Sequence, residues 1–130
     1  MQEIVHYSLH LIAPAGVAWL LFRNDWKKAY LLILATMLVD IDHLLASPIF
    51  DPHRCSIGHH PLHSIWAMMV YALLLLAPKP WRILAVGLLL HMLTDFIDCW
   101  WMMRTCDKCS IDPLMRDFME WLNTFGPQPN

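Results

Sequence analysis

Residues 81–103 read WRILAVGLLLHMLTDFIDCWWMM, and this stretch decides how the rest of the chain is interpreted. It is long enough to cross a bilayer, since a helical span needs about 20 mostly apolar residues. It nevertheless contains His91, Asp95 and Asp98, which share one face of a helix at spacings of four and three residues. Ionisable groups inside a span cost about 2.5–3.5 kcal/mol each, so their presence indicates a functional role.

Three further apolar stretches precede this one, over approximately residues 4–22, 29–46 and 62–77. The connections at 23–28 and 78–80 are short, which makes neighbouring stretches antiparallel. Hydrophobic residues make up 58% of the chain and charged residues 15%, whereas soluble proteins are about 25% charged. We therefore predict an all-α fold, in which residues 1–130 form a single transmembrane domain: an integral membrane four-helix bundle.

The segment after the fourth stretch has the pattern of a surface helix. Asp112-Pro113 is typical of an N-cap followed by proline in the first turn. Apolar residues then recur at helical spacing from Leu114 onwards, with charged residues opposite them. This predicts a short amphipathic interfacial helix over approximately residues 112–125. A frayed tail is the alternative.

Basic residues predict the orientation in the membrane. Arg23, Lys27, Lys28, Lys79 and Arg82 lie in or beside the two short connections. The positive-inside rule therefore favours a cytoplasmic location for these connections, with both termini outside. The first residues lack the basic region of a signal peptide, so we expect the first stretch to be retained. The expected partner is the lipid bilayer; a net charge of −2 gives no sign of a nucleic-acid partner.

Histidine and aspartate residues recur at one depth in the predicted bundle. Counting 1.5 Å per residue from the cytoplasmic helix ends places the ionisable residues of several spans in one layer, from mid-membrane towards the outer face. Imidazoles and carboxylates suit Zn, Mn or Fe, and several carboxylates can bridge two ions. We therefore predict one or two divalent ions, zinc first among them. The predicted ligands are Asp40, Asp42, His60, His63, His91 and Asp95. Histidine–aspartate pairs that only hold helices together are the alternative.

Two details of this ligand set stay open. Asp42 points about 160° away from Asp40 on an ideal α-helix, so either it supports other ligands or the helix loosens before Pro48. His59 and His60 compete for one role.

Three other residues are predicted to assist the chemistry. His10 and His43 are candidates for a ligand, a proton shuttle or a residue that orients a ligand. Arg54 lies in the loop before the third stretch, where its guanidinium could hold a phosphate oxygen. A solvated or lipid-facing cation is the alternative for Arg54.

The same residues resemble the pattern of the membrane-bound metal-dependent hydrolases, small bacterial inner-membrane proteins with a distant likeness to zinc-dependent phospholipase C. The family pattern has an early histidine on the first helix, D-x-D-H ending the second, H-S entering the third and H-x-x-x-D on the fourth. The matching positions here are His10, Asp40-Ile41-Asp42-His43, His63-Ser64 and His91 with Asp95. The resemblance covers approximately residues 6–98.

The chain departs from that pattern at one place, because His53-Arg54 lies further from His63-Ser64 than the corresponding residues of the family. The resemblance implies metal-dependent hydrolysis in the bacterial inner membrane, without naming a substrate. Since the site opens towards the lipid head groups, we expect a lipid ester or phosphoester as substrate. A b-type haem protein and a metal sensor or transporter are the alternatives. Formation of a homodimer is possible and is not decided by the sequence.

Four cysteines allow several pairings. Cys106 and Cys109 could form a disulfide with each other, or each could form one with Cys55 or Cys99. The C-x-x-C pair could also form half of a zinc site. With both termini outside, all four would lie where disulfides are permitted.

Overall fold

All the regular secondary structure in the described part of the chain (residues 2–49, 51–106 and 108–125 of the computed structural model) is helical, with one isolated bridge between Arg54 and Ser110. The predicted all-α class is therefore confirmed. The α-helices are α1 (Gln2–Leu11), α2 (Ala13–Leu21), α3 (Trp26–Ala35), α4 (Ile65–Leu74), α5 (Lys79–Thr105) and α6 (Pro113–Asn123). The 3₁₀ helices are Arg23–Asp25, Thr36–Leu45 and Pro61–His63.

The first predicted span is divided at Ile12, between α1 and α2. Pro14 explains the break, because it has no N–H to donate to the carbonyl of His10. Ile4–Leu21 as a whole is still long and apolar enough to cross a membrane. The break places His10 at the end of α1, where its side chain is buried.

The second predicted span changes its helix type halfway. α3 continues directly into the 3₁₀ helix Thr36–Leu45, which has three residues per turn. Exposure follows that period: Thr36, Val39 and Asp42 are buried, whereas Leu38 and Ile41 lie on the exposed face. The second half of the predicted helical stretch 29–46 is therefore a 3₁₀ helix and not an ideal α-helix, and the change of period determines which aspartate faces which neighbour.

The third predicted span is short because its beginning is not α-helical. Pro61 opens the 3₁₀ helix Pro61–His63, and Ser64 then caps α4. The Ser64 hydroxyl accepts a hydrogen bond from the N–H of Ala67 (3.3 Å). The Tyr71 hydroxyl donates to the carbonyl of Leu62 (3.0 Å), which attaches the 3₁₀ turn to α4. These contacts fix the direction of the His63 side chain.

α5 is the central helix and packs against α1, α3 and α4. At one end of the molecule, Lys79 and Asp25 form an ion pair that joins the two short connections. The hydrogen bond from Lys79 lowers the pKa of the exposed Asp25 carboxyl. At the opposite end, a disulfide between Cys55 and Cys99 ties the loop before α4 to α5.

The predicted C-terminal helix is confirmed as α6. Its N-cap is Asp112, whose carboxylate accepts a hydrogen bond from the N–H of Met115 (3.2 Å), and Pro113 follows in the first turn. Met119 on α6 is fully buried in a cluster with Cys55 and Cys99. α6 therefore lies at the disulfide-bonded end of the molecule.

Among the residues that the structure describes, two helical segments are long and apolar enough to cross a membrane, namely Ile4–Leu21 and Lys79–Thr105. α4 is apolar but shorter. These segments agree with an association of the chain with a membrane.

Candidate metal centre

Four side chains from three elements converge in the middle of the molecule. Asp40 comes from the 3₁₀ helix Thr36–Leu45, His63 from the turn before α4, and His91 and Asp95 from successive turns of α5. His63, His91 and Asp95 are buried, and Asp40 is half-buried. The structure thus brings together four of the six predicted metal ligands.

Five of the six distances between the four ligand atoms are nearly equal, and the sixth, between the two carboxylates, is within 4.8 Å. His63 Nε2 lies 3.3 Å from His91 Nε2, 3.3 Å from Asp40 Oδ1 and 3.2 Å from Asp95 Oδ2. His91 Nε2 lies 3.1 Å from Asp40 Oδ1 and 3.3 Å from Asp95 Oδ2. Four ligands held tetrahedrally at about 2.0–2.1 Å from zinc are separated by about 3.3 Å. The arrangement therefore fits a single tetrahedral ion at its centre.

Hydrogen bonds alone do not account for this arrangement. Each Nε2 carries at most one hydrogen, yet each has three close neighbours, and the two nitrogens face one another. Within the described residues, Asp95 Oδ2 is buried and receives no hydrogen bond of acceptable geometry. Such a group is costly unless a further partner satisfies it. A divalent cation would satisfy all four atoms at once.

Asp42 lies behind His63 and not in the group of four. Its Oδ2 is 3.2 Å from His63 Nδ1 and accepts a hydrogen bond from the N–H of Leu62 (2.8 Å). Its Oδ1 is 3.1 Å from His43 Nδ1. A carboxylate that binds the far nitrogen of a ligating histidine fixes the tautomer and the ring orientation. Asp42 therefore holds His63 with its Nε2 directed at the other three ligands.

We expect Asp42→Asn to weaken metal binding by about 10–100-fold without abolishing it, the usual effect of losing a partner that orients a metal-bound histidine. Competition with a chromogenic chelator in detergent measures the change. Asp117→Asn, on the exposed side of α6, is the matched control and should leave the affinity unchanged. Equal affinities for Asp42→Asn and wild type would contradict the orienting role.

A second group lies on the other side of Asp95. His10 Nε2 is 3.4 Å from Asp95 Oδ1, and the His10 ring lies 4.5 Å from the rings of both His6 and His91. His6, His10 and Asp95 offer three ligand atoms within 4.8 Å of one another. Because Asp95 has one oxygen in each group, it has the arrangement of a carboxylate that bridges two ions.

The remaining predicted residues lie towards the loop side of the cluster. His43 Nε2 is 3.2 Å from the hydroxyl of Ser56, and the His43 ring stacks on His60 with 3.9 Å between ring centroids. Burial and the neighbouring His43 lower the pKa of His60 to about 4. With Asp42, these histidines form a third group of three ligand atoms. His60 therefore does not join the four central ligands, and the exposed His59 lies further out.

Arg54 is separate from the central group. Its guanidinium donates a hydrogen bond to the carbonyl of Ile49 (3.1 Å) within the same loop. The ring of His6 adjoins that of His10, as the i, i+4 spacing of the two residues on one helix allows. Sequence reasoning missed Ser56, since no sequence pattern relates residues that are thirteen positions apart across a loop.

The fold and this cluster define the chain as an all-helical protein with apolar helices around a buried histidine–aspartate centre. It belongs to a family of unknown function, DUF6122, whose match covers residues 1–103. No curated protein and no solved structure matches the chain. The family match includes every predicted ligand and ends before Cys106, Cys109 and α6. It assigns no activity, so the resemblance to metal-dependent hydrolases stays a prediction.

Proposed function

We propose that the chain is a four-span membrane protein that binds one or two divalent metal ions and hydrolyses a lipid ester or phosphoester. The observation that carries the proposal is the compact group formed by Asp40, His63, His91 and Asp95, in which the two histidine Nε2 atoms lie 3.1–3.3 Å from each other and from one oxygen of each carboxylate.

The lengths of the helical segments support four spans. α3 and the 3₁₀ helix Thr36–Leu45 have ten residues each, and together they are about 35 Å long. That length exceeds the hydrocarbon core of a bilayer, which is about 30 Å thick. The segment from Pro61 to Leu74 is shorter than the other three, and as a span of the proposed bundle it requires a local thinning of the bilayer. Large apolar side chains are widely exposed along these segments, for example Leu31, Leu38, Val70 and Leu73, as a lipid environment requires.

The predicted orientation also has structural support. Both short connections, with four basic residues in them and Arg82 beside them, lie at the end marked by the Lys79–Asp25 ion pair. The two disulfides, Cys55–Cys99 and Cys106–Cys109, lie at the opposite end. Disulfides persist in oxidising compartments outside the cytoplasm. The chain would accordingly be a multi-pass protein of the bacterial inner membrane, with its disulfide-bonded end outside.

Asp40 forms the open side of the proposed site. Its side chain is 39% exposed, whereas that of His63 is completely buried. The adjacent face of the 3₁₀ helix carries Leu38, Ile41 and Leu44, which are 72%, 62% and 60% exposed. A substrate that reaches Asp40 along this face meets an apolar surface first, which suits a lipid more than a water-soluble molecule.

The side chains around this opening have distinct roles in the proposed reaction. When bound, a divalent ion supplies Lewis-acid chemistry and makes water a usable nucleophile near neutral pH. His43 Nδ1 lies 3.6 Å from Asp40 Oδ1 and is partly exposed, so it can take a proton at the open side. Asp42 and Ser56 hold the His43 ring in place. Arg54 keeps further N–H donors for a phosphate oxygen, although it is bonded to Ile49.

A haem is disfavoured by the packing. Of the described residues, those around His10 and His91 enclose a cavity of only about 10 Å³. A porphyrin requires a far larger slot between its axial histidines. The alternative, a protein that binds metal in a sensing or transport role without turnover, would use the same cluster.

Hydrolysis is tested with the purified protein in mixed micelles of phosphatidylglycerol and phosphatidylethanolamine, after chelation and re-addition of Zn²⁺, Mn²⁺ or Fe²⁺. We expect metal-dependent release of a fatty acid or of a phosphorylated head group, detected by mass spectrometry. Asp95→Asn should lower the rate by more than about a hundredfold, because loss of the metal removes several kcal/mol of transition-state stabilisation. His59→Ala, on an exposed histidine outside the cluster, is the control and should keep the rate.

Hydrolysis that persists after chelation, or in Asp95→Asn, would overturn the proposed activity. Metal that binds stoichiometrically without turnover of either lipid would favour the sensing or transport alternative.

A further inference from the structure

A second set of metal-ligating side chains lies at the disulfide-bonded end of the molecule. His53 Nδ1 is 3.8 Å from Cys106 Sγ and 3.7 Å from Cys109 Sγ. These three ligand atoms all lie within 4.8 Å of one another. None of them belongs to the central cluster, and the proposed hydrolysis uses none of them.

The backbone holds His53 beside the cysteines. The N–H of Ser110 donates to the carbonyl of His53 (2.7 Å), and the N–H of Cys55 donates to the carbonyl of Ser110 (2.9 Å). Cys55 is in turn bonded to Cys99 on α5. The two segments are therefore fixed side by side by the main chain, so the histidine needs little ordering before it can bind an ion.

The two disulfides differ in their access to solvent. Cys55 and Cys99 are only 1% and 2% exposed, whereas Cys106 is half-buried and His53 is exposed. Thiol–disulfide exchange requires access of the attacking thiolate to a sulfur atom. A soluble reductant should therefore open the Cys106–Cys109 disulfide and leave Cys55–Cys99 intact.

We infer that His53, Cys106 and Cys109 form a thiol-controlled site for a thiophilic divalent cation, with zinc as its natural ligand. On zinc, a nitrogen at about 2.0–2.1 Å and a sulfur at about 2.3 Å are about 3.5–3.6 Å apart. The observed distances of 3.7 and 3.8 Å are close to this separation. Two thiolates select zinc over hard cations such as Mg²⁺ or Ca²⁺. The fourth position is left to water or to a ligand from solution.

Metal binding at this site follows reduction of the Cys106–Cys109 disulfide, and each step conserves electrons and protons. A dithiol donates two electrons and two protons to the Cys106–Cys109 bond and itself becomes a disulfide. The cation then displaces the two thiol protons to the solvent as both sulfurs bind. In the reverse direction a small-molecule disulfide takes two electrons from the two thiolates and two protons from the solvent and becomes a dithiol, which re-forms the Cys106–Cys109 bond and releases the cation.

Cobalt serves as the spectroscopic probe, because Co²⁺ bound by thiolates gives a near-ultraviolet charge-transfer band that oxygen and nitrogen ligands do not produce. The detergent-purified protein is titrated with Co²⁺ before and after treatment with dithiothreitol and removal of the reductant. We expect no such band in the oxidised protein and, in the reduced protein, a band whose intensity at saturation corresponds to one thiolate-bound Co²⁺ per chain. Alkylation and mass spectrometry should map the new thiols to Cys106 and Cys109. The central cluster has no sulfur ligand, so its occupancy does not affect this readout.

Variants then identify the ligands. Cys109→Ser should lose the band. His53→Ala should bind Co²⁺ at least about tenfold more weakly, since even a lost partner of a ligand costs about 10–100-fold. His59→Ala, in the same loop, should match the wild type. No band in the reduced wild type, a band that persists in Cys109→Ser, or an unchanged affinity in His53→Ala would each overturn the inference.

Discussion

Chelation of divalent metals will lower the thermal unfolding temperature of the wild-type protein and leave that of a His91→Ala, Asp95→Ala variant unchanged. A ligand that binds only the folded state stabilises it by about 2.7 kcal/mol when its free concentration is 100 times its Kd. For a chain of this length, that free energy corresponds to about 10 °C. The reason lies in the geometry, because both side chains direct a ligand atom at the point shared with Asp40 and His63.

The measurement is a thermal scan in mild detergent, followed by circular dichroism, with and without a chelator. His59→Ala is the matched control, since it removes an exposed histidine outside the group of four, and it should show the full wild-type shift. An identical unfolding temperature for the wild type in both conditions would count against a metal that stabilises the fold. A chelator effect that survives in the double variant would place the responsible ion elsewhere.

Loss of the Cys55–Cys99 disulfide will destabilise the protein much more than loss of Cys106–Cys109. The first pair is 44 residues apart in sequence and the second only 3. In the loop-closure account, these separations correspond to about 4 and about 2 kcal/mol of stability. The Cys55–Cys99 bond also holds the loop that carries His60 and His63 against α5, so its loss should weaken metal binding as well.

The comparison uses two double variants, Cys55→Ser with Cys99→Ser and Cys106→Ser with Cys109→Ser. Unfolding is followed by tryptophan fluorescence while a denaturing detergent is titrated into a mild one, and metal affinity is measured in parallel. The larger loss of stability and of metal affinity is expected in the Cys55, Cys99 variant. Equal losses in the two variants would show that the loop is held to α5 by its other contacts.

The sequence was sufficient for much of the fold, because apolar length and turn chemistry are local properties. The pattern Asp112-Pro113 predicted the beginning of α6, and the structure shows the expected cap from Asp112 to Met115. Pro61 begins the third helical segment, because its missing N–H costs little in a first helical turn. The break at Ile12 could have been predicted from Pro14, although the apolar pattern continues through it unchanged.

The 3₁₀ helix was the principal feature that the sequence concealed. Thr36–Leu45 is apolar enough for an α-helix, and no single residue requires the tighter turn. Tertiary packing selects the helix type. On a helix with three residues per turn, Asp40 and His43 share one face, and Asp42 lies on a different face, which is buried. The ambiguity about Asp42 follows directly from this choice, since its direction relative to Asp40 depends on the helical period.

It was easier to predict which residues belong to the candidate site than to predict which of them contact one another. The i, i+4 spacing of His91 and Asp95 identified one face of α5 correctly, because that helix is regular. The contact of His63 with Asp42, and that of His53 with two cysteines more than fifty residues away, depend on how the loop before α4 folds. Loop conformation is set by long-range packing, which sequence spacing does not encode.

The most direct test of a metal centre in this protein is elemental analysis by plasma mass spectrometry on the detergent-purified chain. Wild type and the His91→Ala, Asp95→Ala variant are purified without chelators and compared. The central cluster predicts one or two equivalents of zinc, manganese or iron in the wild type and loss of this metal in the variant. A wild-type protein that contains no stoichiometric metal, and takes up none when ions are added, would contradict the account and leave the cluster as histidine–aspartate pairs that hold the helices together.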